Sequence, residues 1–340
     1  MRWAVILAGG SGSRFWPLST PLAPKQLLPL AGPQSTAEAT IDRLTGLVDR
    51  DRILLVTGRH LAGPLQDRLG LPPDNVLVEP APKSTGPALA WATHEARRRD
   101  PDAAVLSLHA DWHIPDPAGF RRDASRALDL AERGPWLVTV GVVPSRPDAG
   151  FGYLVPGPEV DGGFRVAEFK EKPSAELASR LIAAGAVWNS GLFAWRAETL
   201  LTQVAAVCPE MASALPHLDR GRVTDFFDGC REVSIDVGVL ERSAAVAMVR
   251  GAFAWDDVGT WEALSRVRPN DAAGNVLVGD VTALDSANVV AWTDHTPVVL
   301  AGVRDLVVVS ANGRILVLDR ARAAALKSVL DRLPPRIREI

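Results

Sequence analysis

Gly9-Gly10-Ser11-Gly12-Ser13-Arg14, followed by Lys25, is the stretch of this sequence best equipped to hold an anion. Small residues let successive backbone N–H groups turn inward on phosphate oxygens, and Arg14 adds a fixed positive charge. Lys25 returns after turns marked by Pro17, Pro21 and Pro24. A glycine loop alone is an ordinary tight turn; the arginine, the prolines and the lysine together argue for phosphate binding. Two other phosphate motifs are excluded. Phe15 stands where a dinucleotide fingerprint needs its third glycine, and no GxxxxGK[ST] occurs anywhere.

Asp111, in Leu108-His109-Ala110-Asp111-Trp112-His113-Ile114, follows an apolar run and so falls at a strand's carboxyl end. A carboxylate there suits Mg²⁺, which takes one or two carboxylates together with water and phosphate oxygens. His109 and His113 lack the spacing of a zinc-binding HExxH helix, and ordinary loop histidines are the plainer reading.

The run Gly9-Gly10-Ser11-Gly12-Ser13-Arg14-Phe15-Trp16-Pro17-Leu18-Ser19 with Pro24-Lys25-Gln26 resembles the signature of the sugar-1-phosphate nucleotidylyltransferases. Within that family it is most similar to the branch that joins mannose 1-phosphate to GTP. The resemblance implies a nucleotide site along Leu7, Ala8, Gly9, Gly10, Gly12 and Ser13, with Arg14 and Lys25 as catalytic cations. Glu79-Pro80-Ala81-Pro82-Lys83-Ser84-Thr85-Gly86-Pro87 is similar to the family's nucleotide-side segment, which adds Glu79, Lys83, Ser84, Thr85 and Gly86. Locally, Ser84 or Thr85 would cap the following helix, and Gly86 would let a ligand approach the main chain. Asp257, in Asp256-Asp257-Val258-Gly259, matches the family's second metal aspartate and joins Asp111 as a Mg²⁺ ligand, while Asp256 reads equally as a helix N-cap.

On the sugar side the resemblance implies Glu171 and Lys172 of Glu171-Lys172-Pro173, and Asn189 of Trp188-Asn189-Ser190-Gly191. Glu171 would accept from sugar hydroxyls, Lys172 would be catalytic by holding the sugar phosphate, and Asn189 would pair with hydroxyls through both ends of its amide. Gly152 would let a hexose lie against the main chain. Without the other motifs, Lys170-Glu171-Lys172 is a solvated turn and Trp188–Gly191 a turn entering a strand. Ser234-Ile235-Asp236 also matches a family segment, with a structural role as the plain reading of Asp236. The chain departs from the family at Thr20, where an arginine is usual, at Ser84, where an asparagine is usual, and at both flanks of Asp111.

These residues require an α/β scaffold. Apolar segments at 2–8, 53–57, 76–79, 103–108 and 136–143 alternate with helical patterns at 60–69, 85–98 and 118–132. That alternation argues for a mostly parallel, doubly wound sheet, in which ligands lie outside the carboxyl ends of the strands. The fold class expected is a Rossmann-like mixed sheet (by resemblance, GT-A-like) with a small C-terminal β-helix-like domain. An antiparallel pair is expected around Asp161-Gly162-Gly163, then a helix at 174–184, a strand at 191–194, a helix at 197–207 and weak helical signals over 210–232. Segments 233–240 and 245–249 read as returns to the sheet. A break at Arg268-Pro269-Asn270-Asp271 divides a catalytic domain, 1–268, from a tail, 269–340, of short strands and a last helix at 321–333. By resemblance the tail is a left-handed β-helix that serves subunit contacts in a homodimer.

The 340 residues are 47% hydrophobic and carry a net charge of −3, which gives no electrostatic case for nucleic acid or an anionic membrane. Cys208 and Cys230 have no CxxC spacing and suit a reducing cytoplasm. The N-terminal apolar run ends in a glycine loop too soon for a signal peptide, and no segment approaches about eighteen uninterrupted apolar residues. The expected reaction takes GTP and mannose 1-phosphate to GDP-mannose and pyrophosphate. Another sugar or nucleotide, a nucleotide-sugar-sensing homologue and a NAD-dependent dehydrogenase are the other readings, the last disfavoured by the missing glycine.

Overall fold

The computed structural model describes residues 1–340 except Ser11, Glu339 and Ile340, so the Ser11 part of the expected anion loop lies outside the described residues. Two compact units interleave along the chain. The first takes in Met1–Gly9, Ile41–Ala110 and Ile114–Trp255; the second takes in Gly10–Thr40, Asp111–His113 and Asp256–Ile340.

The first unit holds a mixed sheet of β1 (Arg2–Leu7), β2 (Ile53–Gly58), β3 (Val76–Glu79), β4 (Ala104–His109), β5 (Leu137–Val142), β6 (Tyr153–Val160), β7 (Gly163–Lys170), β8 (Val187–Arg196) and β9 (Val246–Gly251). Its order is β3-β2-β1-β4-β8-β5-β9-β7-β6. The first four strands run parallel, and β8 is antiparallel to both β4 and β5. Trp3 to Leu7 are buried, as expected of a strand covered on both faces. The helix Thr85–Arg99 buries Ala88, Leu89, Ala92 and Ala96 in the core that also holds Val5, Leu7 and Val105. Gly9, Glu79 and His109 fall at the carboxyl ends of parallel strands or just beyond, where such sheets bind ligands.

Two local expectations change, and a third, the helical stretch 210–232, is met with a packed inner face. Residues 236–240 are a wide helical turn closed by Glu241 N–H to Asp236 C=O at 2.8 Å, rather than a strand. Trp188-Asn189-Ser190-Gly191 lies inside β8, which begins at Val187, rather than in a turn before it. Residues 210–232 form short helical turns that bury Phe226 and Phe227, so their polar surface concealed a packed inner face.

The second unit contains β10 (Val276–Val278), β11 (Val281–Leu284), β12 (Val290–Thr293), β13 (Val298–Ala301), β14 (Leu306–Ala311) and β15 (Arg314–Asp319). β10, β12 and β14 stack in parallel, β11 and β13 form a second parallel row, and β15 closes the first row antiparallel to β14. Asp285, Asn288 and Asp305 take positive φ between these strands, a conformation their short polar side chains tolerate. Asn275 bonds to Ser286 C=O and Val289 N–H, both at 2.9 Å, and so ties neighbouring coils. This is the β-helix-like tail expected from the sequence. The helix expected at 321–333 is a 3-10 turn, Arg320–Ala325, that runs into a short α-helix, Leu326–Leu330.

The compact units cut the chain differently from 1–268 and 269–340. Phe15, Trp16, Leu28 and Leu30 share one apolar core with Trp261, Val276, Trp292 and Leu316. Arg268 adds a hydrogen bond to Leu30 C=O at 2.5 Å, and Asn312 one to Pro17 C=O at 2.9 Å. Apolar side chains far apart in sequence draw the tail and the segment after the glycine loop into one body.

Trp261 is fully buried at the centre of that core. Its ring lies 5.2 Å from Phe15 and 5.9 Å from Trp292, and its indole N–H donates to Trp16 C=O at 3.1 Å. Trp261→Ala is expected to lower unfolding free energy by about 3–5 kcal/mol, measured by urea denaturation. A loss below about 1 kcal/mol would contradict the packing.

Candidate active site

In the first unit the end of β1 is fixed by its neighbour. Ala8 N–H donates to Val56 C=O at 2.9 Å, and the Thr57 hydroxyl donates to Ala8 C=O at 2.8 Å. In the second unit Gly12 stands at φ +64°, and a Cβ there would lie 2.5 Å from Ser19 Oγ and 3.0 Å from Lys25. Only glycine suits that conformation and that space. Ser13 and Arg14 begin a short 3-10 turn, and Arg14 is exposed.

Lys25 is the buried cation of the second unit. Its Nζ lies 2.8 Å from Asp111 Oδ2, donates to Asp257 C=O at 3.2 Å and stands 5.7 Å from the Phe15 ring centre. His113 and Asp256 exchange backbone hydrogen bonds of 2.9 and 3.1 Å, which lays the Asp111 and Asp257 segments side by side. Burial, then the charge of Asp256 and, more weakly, that of Asp111, raises the Asp257 carboxyl above the usual aspartate range, against the pull of Lys25. A cation bound near both carboxylates would relieve that cost. Among the described residues no group of three or more His, Cys, Asp or Glu forms a metal cage. Two carboxylates with water and phosphate completing the shell is the coordination Mg²⁺ favours, so the donor set fits that ion.

Asp256 is not a helix N-cap. Its carboxylate accepts from Val258 N–H at 2.8 Å and from Arg266 Nε at 2.6 Å, and the position before the next turn is Thr260. It holds the loop that carries Asp257. A Cβ at Gly259 would lie 2.6 Å from Asp257 Oδ2 and 3.5 Å from an Arg14 nitrogen, so the glycine keeps that carboxylate and guanidinium accessible. At the departure sites, Thr20 closes a turn by accepting from Ala23 N–H at 2.9 Å, and Trp112 is buried.

The nucleotide-side segment is in the first unit. Neither Ser84 nor Thr85 caps the helix: Ser84 has φ 68° and makes no capping bond, while the Thr85 hydroxyl accepts from Ile235 N–H at 3.0 Å. Gly86 donates to Val233 C=O at 3.0 Å, and a Cβ would come within 2.6 Å of that oxygen. The close approach at Gly86 is therefore made by the chain itself rather than by a ligand. Lys83 Nζ donates to Cys230 C=O at 3.0 Å, which ties the same two segments again.

The sugar-side residues also converge within the first unit. Asn189 N–H donates to Gly152 C=O at 2.8 Å, and a Cβ at Gly152 would lie 2.6 Å from Glu171 Oε2 and 3.3 Å from Asn189 Cβ. Lys172 Nζ is 3.0 Å from Glu171 Oε1. The Asn189 amide is not available at both ends, because its Oδ1 already accepts from the Thr139 hydroxyl at 2.8 Å and Gly191 N–H at 3.3 Å. Its Nδ2 donates to Asp236 at 2.9 Å. Thr139, with no motif around it, left no signal in the sequence; Asp236 did, in Ser234-Ile235-Asp236.

Burial pushes the half-buried Glu79 carboxyl up to about 7. The folded state thus holds its proton more tightly than the unfolded chain. This contribution to stability is complete below the ordinary glutamate range and is lost as pH rises through about 7. Because the carboxyl still meets solvent, it amounts to about 1–2 kcal/mol. Between pH 5 and pH 8, Glu79→Gln should lose less unfolding free energy than the parent by about that amount, measured by urea denaturation. Equal losses would contradict the assignment.

Comparison with known proteins gives this arrangement a family. Residues 3–274 match the nucleotidyl transferase family, and residues 279–333 match the MannoseP isomerase/GMP-like beta-helix domain. A mannose-1-phosphate guanylyltransferase of Escherichia coli K12 is 36% identical over 97% of this chain and 73% of its own length. The ManC guanylyltransferase of Salmonella typhimurium LT2 is 35% identical over 97% and 73%. A crystal structure from Thermus thermophilus, named as a mannose-1-phosphate geranyltransferase, superposes with a TM-score of 0.90 at 34% identity, covering 97% of this chain and 98% of that one. The chain spans about three quarters of the two bacterial relatives, 73% in each case. With its nucleotidyl transferase match running through the glycine loop, Lys25, Asp111 and Asp257, this chain belongs to the nucleotidyl transferase family.

Proposed function

We propose that this nucleotidyl transferase joins mannose 1-phosphate to GTP, giving GDP-mannose and pyrophosphate. The observation that carries this reading is the cluster of buried Lys25 with Asp111 and the Asp257 segment, in a chain 36% identical over 97% of its length to a mannose-1-phosphate guanylyltransferase. In the reaction a phosphate oxygen of the sugar attacks the α-phosphorus of GTP. The bond from that phosphorus to the bridging oxygen of the β-phosphate breaks, and pyrophosphate leaves. The sugar phosphate is itself the nucleophile, so the protein's work is alignment and neutralisation of charge.

Asp111 and Asp257 would hold Mg²⁺, which when bound withdraws charge from the α-phosphate. Arg14, Lys25 and the N–H groups of Gly9, Gly10, Gly12 and Ser13 would oppose the charge of the departing pyrophosphate. Leu7 and Ala8 end the strand that presents this loop. Glu79, Lys83, Ser84 and Thr85 form the nucleotide side, with Gly86 supporting them through Val233. Lys172 would hold the sugar phosphate, and Glu171, Asn189 and Gly152 would receive the hexose. The free, buried Cys208 and Cys230 fit a reducing cytoplasm. Exposed Leu284, Val299, Ile315 and Val317 in the tail support assembly as a homodimer. Among the described residues no helix is long and apolar enough to cross a membrane.

A panel of four nucleoside triphosphates against several sugar 1-phosphates, read as pyrophosphate release with Mg²⁺, tests the reading. GTP with mannose 1-phosphate should lead, and Asp111→Asn should lose about 10²-fold or more in kcat while still unfolding in one cooperative transition. Full activity in that variant removes Asp111 from the mechanism. Silence of every pair, with a nucleotide sugar still bound, removes the catalytic reading.

A further inference from the structure

We infer that Asp236 is a specificity residue for the sugar hydroxyls, and that it also positions Asn189 to meet them. The inference deepens the proposed function and rests on it.

Hydrogen-bond chemistry fixes the Asn189 amide in one orientation. Gly191 N–H can only donate, so the atom it reaches at 3.3 Å is the amide oxygen, which also accepts from the Thr139 hydroxyl at 2.8 Å. Both oxygen lone pairs are thereby used. The Asp236 carboxylate accepts from Nδ2 at 2.9 Å, leaving one amide N–H to face a ligand.

Asp236 opens the wide turn Asp236–Leu240 and is half-buried. One carboxylate oxygen is committed to Asn189, and the carboxylate's other hydrogen bond comes from its own main-chain N–H. Burial, then the charge of Glu171, pushes the carboxyl up to about 6, while Lys172 pulls the other way. A half-buried carboxylate held near another carboxylate gains from a further donor. At Gly152 a Cβ would meet Glu171 Oε2 at 2.6 Å and Asn189 Cβ at 3.3 Å, so the glycine is what lets Glu171 and Asn189 close together against the main chain.

Two carboxylate acceptors flanking a single amide N–H select a particular ligand chemistry. Neighbouring hydroxyls of a pyranose donate to the carboxylates and accept from the amide, whereas an anion would be repelled. The hydroxyl-bearing face of the hexose therefore belongs at Glu171, Asn189 and Asp236, with its phosphate on Lys172. An epimer that moves one hydroxyl leaves a buried acceptor unpaired, and such a site discriminates strongly.

Asp236→Asn keeps an oxygen for the Asn189 amide but turns the second acceptor into a donor. At saturating GTP it should raise KM for mannose 1-phosphate at least about tenfold, and KM for GTP should stay within about twofold. Its preference for mannose 1-phosphate over glucose 1-phosphate should shrink. Thr139→Val, which releases the Asn189 amide, should raise the sugar KM about three- to tenfold with the same silence toward GTP, and it carries the test should Asp236→Asn fail to fold. An unchanged sugar KM and epimer preference in the folded variants overturns the inference, as does a GTP KM that rises in step with the sugar KM. If the parent protein makes no nucleotide sugar from any pair, the proposed function and this inference fall together. Parental turnover beside an unaltered Asp236→Asn removes the inference alone.

Discussion

Holding two carboxylates beside one buried lysine is the constraint on which the Lys25, Asp111 and Asp257 cluster of the second unit depends. Asp257 is deeply desolvated, Asp111 adds to its cost, and the compensating charge within the protein is Lys25, itself only 6% exposed. A buried lysine is stable only if paired, and Lys25 satisfies this through Asp111 and the Asp257 carbonyl. Lys25 does not cancel the effects of burial and of the neighbouring aspartates, so the Asp257 carboxyl stays above its ordinary range. A site in that condition favours a divalent cation and then the polyphosphate that the cation brings with it. The Arg266–Asp256 pair acts on the same loop from outside. It neutralises the third aspartate of the neighbourhood, so the charge that remains is that of Asp111 and Asp257.

The first unit holds the residues proposed for the sugar by a different rule. Thr139 and Asn189 sit on strands and Asp236 on a wide turn, while Glu171 and Lys172 follow directly on the end of β7. Thr139 of β5 fixes Asn189 of β8, Asn189 engages Asp236, and the Gly152 carbonyl receives the Asn189 main chain. Recognition of hydroxyls needs lone pairs and protons in fixed directions, which a lattice of this kind supplies and bulk charge does not. The nucleotide segment is tied into the same stretch, since Gly86 bonds to Val233 and Thr85 to Ile235, both just ahead of Asp236.

Much of this was legible in the sequence because it is local. The strand Arg2–Leu7 ending in glycines, the parallel strands that follow and the aspartate after β4 all declare themselves in a few adjacent residues. What escaped was long-range. Nothing near Thr139 announces that its hydroxyl meets an amide from β8, and nothing in Asp256-Asp257 says which aspartate Arg266 will take. Thr85 and Gly86 looked like a cap and a ligand approach because the partner segment, some 150 residues on, is invisible to local rules. The tail was readable as a coil of short strands, yet the core it shares with Phe15, Trp16, Leu28 and Leu30 follows only from folding.

Backbone conformation supplies a test of which motifs are functional that does not depend on resemblance. Among the described residues, eight non-glycine residues have positive φ: Asp161, Asp285, Asn288, Asp305 and Asn312, together with Ser84, Lys172 and Val258. The first five are Asp or Asn, which tolerate that region; the last three do not, and each costs about 1–3 kcal/mol. One falls in the nucleotide segment, one beside Glu171 and one directly after Asp257. Each is held by bonds that leave little alternative: Gly86 to Val233, Glu171 N–H to Glu241 at 3.1 Å, and Val258 N–H to Asp256 at 2.8 Å. Folding has no reason to retain strain at three unrelated places, a β-branched valine among them. Orienting the groups on either side of each strained residue before a ligand arrives is a reason, because alignment prepared in the folded state need not be made at the moment of reaction.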